Sequence, residues 1–262
     1  MTKKPLDDLD LYDEHEEIVS EGGKKVKRRG IFLLPNLLTT ASLFSGFYSI
    51  ISAIEADFVS AGLAIFAAQI FDGLDGRVAR LAKAQSNFGA HYDSLCDLVS
   101  FGLAPSISVF LWGLDSLGQI GWVFSFLFVA AAALRLARFN INIGNEDNKY
   151  FRGLPSPVAG AALAYYVWAF SSFGIQGQEV GYILSLFSGL LTVLLAVLMV
   201  INIPYYSFKD IELKRRVPFF AILVVVFVFA LISIDPPLVL VLCALLYILS
   251  GPLIWIFKAL KR

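Results

Sequence analysis

Cysteine and histidine are nearly absent, with two of each in 262 residues. Cys96 and Cys243 stand far apart in apolar surroundings, which excludes a disulfide framework and a thiolate zinc pattern and reads as two small core residues. His15 and His91 are equally isolated, so any metal site must draw on other ligands. Net charge is also lacking, with 21 Lys and Arg against 21 Asp and Glu, and no nucleic-acid partner is expected. The N-terminus has no positively charged start running directly into an apolar stretch and a small-residue cleavage site. No removable signal peptide is expected, and insertion would rely on the membrane segments themselves.

Apolar surface, by contrast, is in excess. Hydrophobic residues make up 58% of the chain and aromatics 14%, with a mean hydropathy of +0.73. A soluble domain of this size could not hide that much, so a bilayer must cover the remainder. The balanced charge conceals strong segregation. Residues 1–30 open acidic (Asp7, Asp8, Asp10, Asp13, Glu14, Glu16, Glu17, Glu21) and close basic (Lys24, Lys25, Lys27, Arg28, Arg29), as a solvated cytoplasmic arm beside the membrane would. The basic cluster is either a topology signal or a contact for anionic lipid.

A helix needs about 20 mostly apolar residues to cross the hydrocarbon core. Eight stretches qualify, near 31–54, 57–82, 88–113, 118–140, 156–173, 179–202, 217–234 and 237–257. Charge placement tests that count independently of hydropathy, because cytoplasmic flanks are rich in Lys and Arg. With the N-terminus inside, all 21 basic residues fall on inner flanks, while outer flanks keep acids such as Glu55, Asp57, Asp115, Glu179 and Asp235. The expected protein is therefore an all-α polytopic bundle of about eight transmembrane helices, with an arm over 1–30, a membrane domain over 31–262 and both termini cytoplasmic.

Charges inside spans are costly and mark functional sites. The second and third spans carry D-G-L-D-G-R-V-A-R from Asp72 to Arg80, then eight residues, then G-A-H-Y-D-S-L-C-D from Gly89 to Asp97. Asp72 and Asp75 share one helix face at i, i+3, and Asp93 and Asp97 share another at i, i+4. A short connection makes the two helices antiparallel neighbours, so both pairs lie at similar depth and can converge. Crowded carboxylates in a low-dielectric setting call for cations. Oxygen-only donors favour magnesium, manganese or calcium over zinc, and two such ions could hold a diphosphate while one carboxylate takes a proton. Gly73, Gly76, Ala79 and Gly89 would admit either a ligand or a closely packed helix. Arg80, on the face of Gly76, suits a phosphate oxygen or serves as a snorkelling topology charge.

The full pattern, D-x-x-D-G-x-x-A-R, eight residues, G-x-x-x-D-x-x-x-D, resembles the signature of the CDP-alcohol phosphatidyltransferase family, with every position filled. The resemblance implies metal ligation by Asp72, Asp75 and Asp93, with Asp97 near the second metal and acting as general base. It also implies that Gly76, Ala79 and Arg80, with Asp75, line the site for the CDP part of a lipid donor. A helical homodimer with six core spans is expected, to which two C-terminal helices are added here. L-P-N-L-L-T at Leu34–Thr39, D-S-L-C-D-L-V-S-F-G-L-A-P at Asp93–Pro105, L-R-L-A-R-F-N at Leu134–Asn140 and G-L-P-S-P at Gly153–Pro157 resemble the phosphatidylserine synthase branch. That implies CDP-diacylglycerol and L-serine as substrates, with membrane lipids around the chain.

An amino-acid acceptor would need a cation for its carboxylate. Arg135 and Arg138 end the fourth span, Asn140 adds hydrogen-bonding capacity, and Lys149 and Arg152 follow. Each is equally readable as a positive-inside charge. Asn36 and Thr39 open the first span after Pro35, either to contact the nucleotide or to cap the helix. Rival acceptors are glycerol 3-phosphate, inositol phosphate and choline, the last needing an aromatic cage for which Tyr165, Tyr166 and Trp168 are candidates. A cation transporter is a different class; the one-sided acidic cluster and the adjacent Arg80 argue against it.

Overall fold

The computed structural model describes residues 17–21, 24–28, 33–82, 86–141, 150–206, 230–231 and 233–260. Within these lie α1 (Leu33–Ile54), α2 (Phe58–Leu81), α3 (Asn87–Trp112), α4 (Gln119–Ile141), α5 (Ser156–Ser172), α6 (Tyr182–Val200) and α7 (Pro236–Leu260). Six of them are long and apolar enough to cross a membrane. The other, α5, has 17 residues, about 26 Å of helix at 1.5 Å per residue. It is buried almost all round, its small residues Ala159, Gly160, Ala161, Ala162 and Ala164 letting the other helices close over it. The expected count of eight spans is thus not reached among the described residues. The span expected at 217–234 falls almost entirely outside them, as do Lys83 and Lys149.

Start signals are conventional. Asp57 accepts the Ser60 N–H at 3.0 Å to cap α2, and Ser86 accepts the Gly89 N–H at 2.9 Å to cap α3. Contacts between helices fix their directions. Thr39 near the start of α1 meets Asp75 near the end of α2, and Ser94 near the start of α3 meets Asn140 at the end of α4. Arg138 at the end of α4 meets Val200 at the end of α6. One end of the bundle therefore gathers the starts of α1, α3 and α5 and the ends of α2, α4 and α6. Basic Arg77, Arg80, Arg135, Arg138 and Arg152 all lie toward this end, as the sequence pattern requires.

Helix α3 is not uniform. Its residues Leu98–Leu103 form a π-helical turn between two α-helical halves. Glycines receive this widened turn on two sides. A Cβ at Gly46 of α1 would lie 2.6 Å from Ser100 Cα, and one at Gly160 of α5 would overlap the Phe101 carbonyl oxygen. Ser100 Oγ also donates to the Ser42 carbonyl at 3.0 Å, and Ser42 Oγ to the Ala68 carbonyl at 3.1 Å, linking α3, α1 and α2. Farther from the acidic residues, Trp112, Tyr166 and Phe170 form an aromatic nest with centroids 4.8–5.8 Å apart.

Two short antiparallel ribbons complete the picture. β1 (Glu17–Glu21) pairs with β2 (Lys24–Arg28) inside the arm, and β3 (Tyr150–Arg152) pairs with β4 (Pro204–Tyr206) beside the functional end. Cys96 is buried, as expected, but Cys243 is exposed on α7, which corrects its reading as a core residue. Apolar surroundings in sequence do not separate a bundle interior from a lipid-facing side, since both are apolar.

Candidate active site

Three helices set the level of the acidic residues at the functional end. Asp75 lies six residues before the end of α2, and Thr39 and Asp93 each lie six residues into α1 and α3. At 1.5 Å per residue all three stand about 9 Å from their helix ends. Asp72 and Asp97 are one turn deeper. Antiparallel pairing of α2 with α1 and α3 thereby turns helical spacing into a shared level.

Carboxylate oxygens of Asp72, Asp75 and Asp93 all fall within 4.8 Å of one another. Asp97 adjoins the group, feeling the charges of Asp72 and Asp93, with only 8% of its surface exposed. It stands outside the three-way convergence, so the four expected ligands divide into a triad and an adjoining fourth carboxylate. The donor set fits a hard divalent cation. Metal–oxygen bonds of about 2.1 Å for magnesium or 2.3–2.6 Å for calcium keep the oxygens around one ion no more than about 4–5 Å apart, and the three carboxylates lie within that bound.

Thr39 is 5% exposed, and its Oγ1 donates to Asp75 Oδ2 at 2.7 Å. It holds a carboxylate in place and does not stand open at a helix start. Asn36 turns its Oδ1 toward Gly89 on α3, 3.6 Å from where a Cβ would stand. Thr40 Oγ1 and Tyr92 Oη lie 2.9 Å apart, and the Tyr92 ring stacks on Phe88 at 5.9 Å.

The glycines of the motif separate into two kinds. Among the described residues, a Cβ at Gly73 would meet nothing within 4 Å, and one at Gly76 only the Arg80 guanidinium at 3.6 Å. Among the described residues close helix packing does not account for either glycine, which leaves space on α2 at this level. Gly89, by contrast, sits against Ser86 and Asn36. Ala79 is half-buried on the same stretch, and Arg80, exposed, puts its charge on Asp75.

The arginines expected near an acceptor separate as well. Arg135 is half-buried, donates to Ser156 Oγ at 2.8 Å and places its charge on Asp97. Asn140 accepts from Ser94 Oγ at 3.0 Å, next to Asp93. Arg138 instead ties α4 to the end of α6 through the Val200 carbonyl and Asn202 Oδ1, both at 3.0 Å. Arg152 is exposed on β3. Thus Arg135 and Asn140 join the acids, whereas Arg138 reaches out along the bundle end. Ser94 and Ser156 lie within motifs already noted, yet nothing in the motifs assigns them a partner. Gln69, which accepts from Tyr165 Oη at 2.6 Å one turn below Asp72, has no motif to mark it. The Tyr165 hydroxyl is thus spent inside the bundle, and its buried ring packs against Phe66 and Trp168.

Fold and site together define a polytopic membrane enzyme whose carboxylates gather at one end of the bundle beside the space left on α2. The chain belongs to the CDP-alcohol phosphatidyltransferase family, whose sequence profile matches residues 32–201. It is 39% identical over 232 residues to the CDP-diacylglycerol–serine O-phosphatidyltransferase of Helicobacter pylori (strain J99), covering 88% of this chain and 94% of that one. It is 34% identical over 174 residues to the archaetidylserine synthase of Methanothermobacter thermautotrophicus, covering 66% and 69%. Over 151 residues it is 38% identical to the Saccharomyces cerevisiae CDP-diacylglycerol–serine O-phosphatidyltransferase, covering 51% and 54%.

Proposed function

We propose that this enzyme transfers the phosphatidyl group of CDP-diacylglycerol to L-serine, giving phosphatidylserine and CMP. The convergence of Asp72, Asp75 and Asp93 within 4.8 Å, with Asp97 beside them, carries the reading. Similarity over 88% of the chain to a relative named CDP-diacylglycerol–serine O-phosphatidyltransferase supports the choice of acceptor. Asp72, Asp75 and Asp93, together with Asp97, would hold divalent cations, magnesium or manganese and alternatively calcium, two in number. When bound, these neutralise the diphosphate and stabilise the departing nucleotide's charge.

The rest of the chemistry belongs to side chains. Gly76 and Ala79 leave room for the CDP head along α2, Arg80 meets a phosphate oxygen, and Asn36 borders the nucleotide, with Thr39 fixing Asp75. Arg135 meets the serine carboxylate, and Asn140 adds hydrogen bonds. Arg138 and Arg152 contribute positive charge at the mouth. Asp97 takes the proton of the serine hydroxyl as that oxygen attacks the phosphorus bearing the diacylglycerol. The bond from this phosphorus to the CMP oxygen breaks, and CMP leaves with the electron pair. Holding both reactants in line supplies much of the rate.

The bundle end carrying the site faces the cytoplasm, because the basic residues cluster there. The arm over 1–30 and both chain ends lie on the same side, the catalytic domain occupies 31–262, and the active species is a homodimer. Radiolabelled CDP-diacylglycerol offered with serine, glycerol 3-phosphate, inositol phosphate or choline separates the readings. CMP release with serine alone is the expected result, and release with another acceptor but not serine would overturn it.

A further inference from the structure

A serine at a helix start ordinarily caps backbone N–H groups of its own helix. Ser156 follows the N-cap residue Pro155, which makes no side-chain cap, and its Oγ accepts instead from Arg135 Nη1 of α4 at 2.8 Å. Ser156 is fully buried, so bulk water does not stand in for its hydroxyl. The backbone that presents this hydroxyl is stiff, because proline rings fix φ at both flanking residues, Pro155 and Pro157.

Neighbouring elements hold the turn on two further sides. The Gly153 N–H donates to the Ile203 carbonyl and the Leu154 N–H to the Leu198 carbonyl, both at 2.9 Å. Gly153 has φ +84°, and a Cβ there would overlap the Met199 carbonyl oxygen, so the chain enters the turn through a position that suits glycine. From α2, Gln69 Nε2 donates to the Pro157 carbonyl at 3.4 Å, while Gln69 Oε1 accepts from Tyr165 Oη at 2.6 Å.

These bonds tie the two reactant sides of the site into one frame. Gln69 precedes Asp72 by three residues, so the helix that carries two of the carboxylates also seats the turn that meets Arg135. A guanidinium is planar, with five N–H donors in a fixed fork, and it pairs with a carboxylate through two parallel bonds only when its plane is correctly set. On a flexible stem that plane turns freely, and a bond at one Nη restricts it.

We propose that Ser156 is a positioning residue whose hydroxyl sets the plane of the Arg135 guanidinium for the acceptor's carboxylate, from a turn fixed to α2 and α6. The proposal rests on the acceptor role given to Arg135 above. It predicts an effect on the amino-acid substrate and not on the lipid donor, because the CDP side of the site is built from α1, α2 and α3.

The test uses the full-length enzyme in mixed micelles, with CMP release measured against serine and against CDP-diacylglycerol, well below each variant's unfolding midpoint. Ser156→Ala removes the acceptor oxygen. It should raise the serine KM about tenfold, the lower end for one hydrogen bond to a charged group, and leave the CDP-diacylglycerol KM unchanged. Ser156→Cys fills the same space with a weak acceptor, so it should raise the serine KM less, and it carries the test if the alanine variant does not fold. Ser188→Ala is the control. It removes an equally buried hydroxyl, bonded at 2.8 Å to Tyr166 of α5, ten residues or about 15 Å along the helix from Ser156, and should leave the serine KM unchanged. Arg135→Lys should raise the serine KM by itself, and adding Ser156→Ala to it should change little more. An unchanged serine KM in the Ser156 variants, an equal rise in their CDP-diacylglycerol KM, or an equal rise in Ser188→Ala overturns the positioning role while the acceptor reading stands. An unchanged serine KM in Arg135→Lys removes the acceptor reading, and the positioning role with it.

Discussion

Thr39→Val tests the construction of the carboxylate cluster at one atom. Valine keeps the branched shape of threonine, so packing between α1 and α2 is preserved while the 2.7 Å hydrogen bond to Asp75 Oδ2 is lost. Both residues are 5% exposed, so bulk water does not replace the missing donor. Asp75 keeps the Arg80 charge but loses the group that fixes the rotation of its carboxylate. A hydrogen bond to a charged group contributes about 1.5–3 kcal/mol, and removing the outer partner of a metal-ligating carboxylate typically weakens metal binding or activity about 10–100-fold. The two ranges agree, since about 1.4 kcal/mol is a factor of ten. We expect the manganese and magnesium concentrations for half-maximal rate to rise by that factor, with a parallel loss of manganese binding measured by electron paramagnetic resonance. The CDP-diacylglycerol KM at saturating metal should hold. Unchanged metal dependence with a raised CDP-diacylglycerol KM would refute this reasoning and make Thr39 a nucleotide contact.

Other substitutions probe the remaining parts. Asp97→Asn, which keeps shape but cannot accept the proton, should lower turnover at least about 100-fold while manganese binding persists; normal turnover would remove Asp97 from the base role. Gly73→Leu faces open space, so thermal unfolding should be unaffected while the CDP-diacylglycerol KM rises about tenfold, the scale of a few lost contacts. An unaltered KM there would show that the nucleotide does not lie along α2. Gly160→Ala drives a Cβ into the Phe101 carbonyl and should lower the unfolding midpoint, reflecting about 1–3 kcal/mol of overpacking; a midpoint equal to wild type would mean that α3 and α5 separate easily.

Long apolar segments and the acidic motif were legible because their signals are local. The span expected at 88–113 is found at Asn87–Trp112 and that at 118–140 at Gln119–Ile141, since hydropathy and flanking charge are read residue by residue. Spacings of three and four along two antiparallel helices were enough to bring Asp72, Asp75 and Asp93 together. Partnerships across helices were not legible. Thr39 had a capping reading and a ligand reading, and only the approach of α2 assigns it to Asp75. Tyr247 sits in an apolar run with no motif, and its hydrogen bond to the Tyr206 carbonyl depends on a ribbon closed by β3 and β4. Arg135 and Arg138 looked alike in sequence, yet a rotation of about 300° along α4, three residues at about 100° each, directs one to Ser156 and the other to Val200.

The π turn explains how one helix serves two environments. Up to Asp97, α3 is regular, and its i, i+4 spacing aims Asp93 and Asp97 at α2. From Ala104 it is regular again, burying Ala104, Pro105, Ser108, Val109 and Trp112 against an apolar core. A single inserted residue shifts every later side chain by about 100° around the axis, so the face used for acids need not continue as the face used for core packing. That freedom is expensive in a bilayer, because a widened turn strains its hydrogen bonds and needs space. Gly46 and Gly160 supply the space on two sides, and the Ser42 and Ser100 hydroxyls bond across it. The acids can therefore be placed by the needs of a charged ligand at one end, while the other half of the same helix is placed by packing alone.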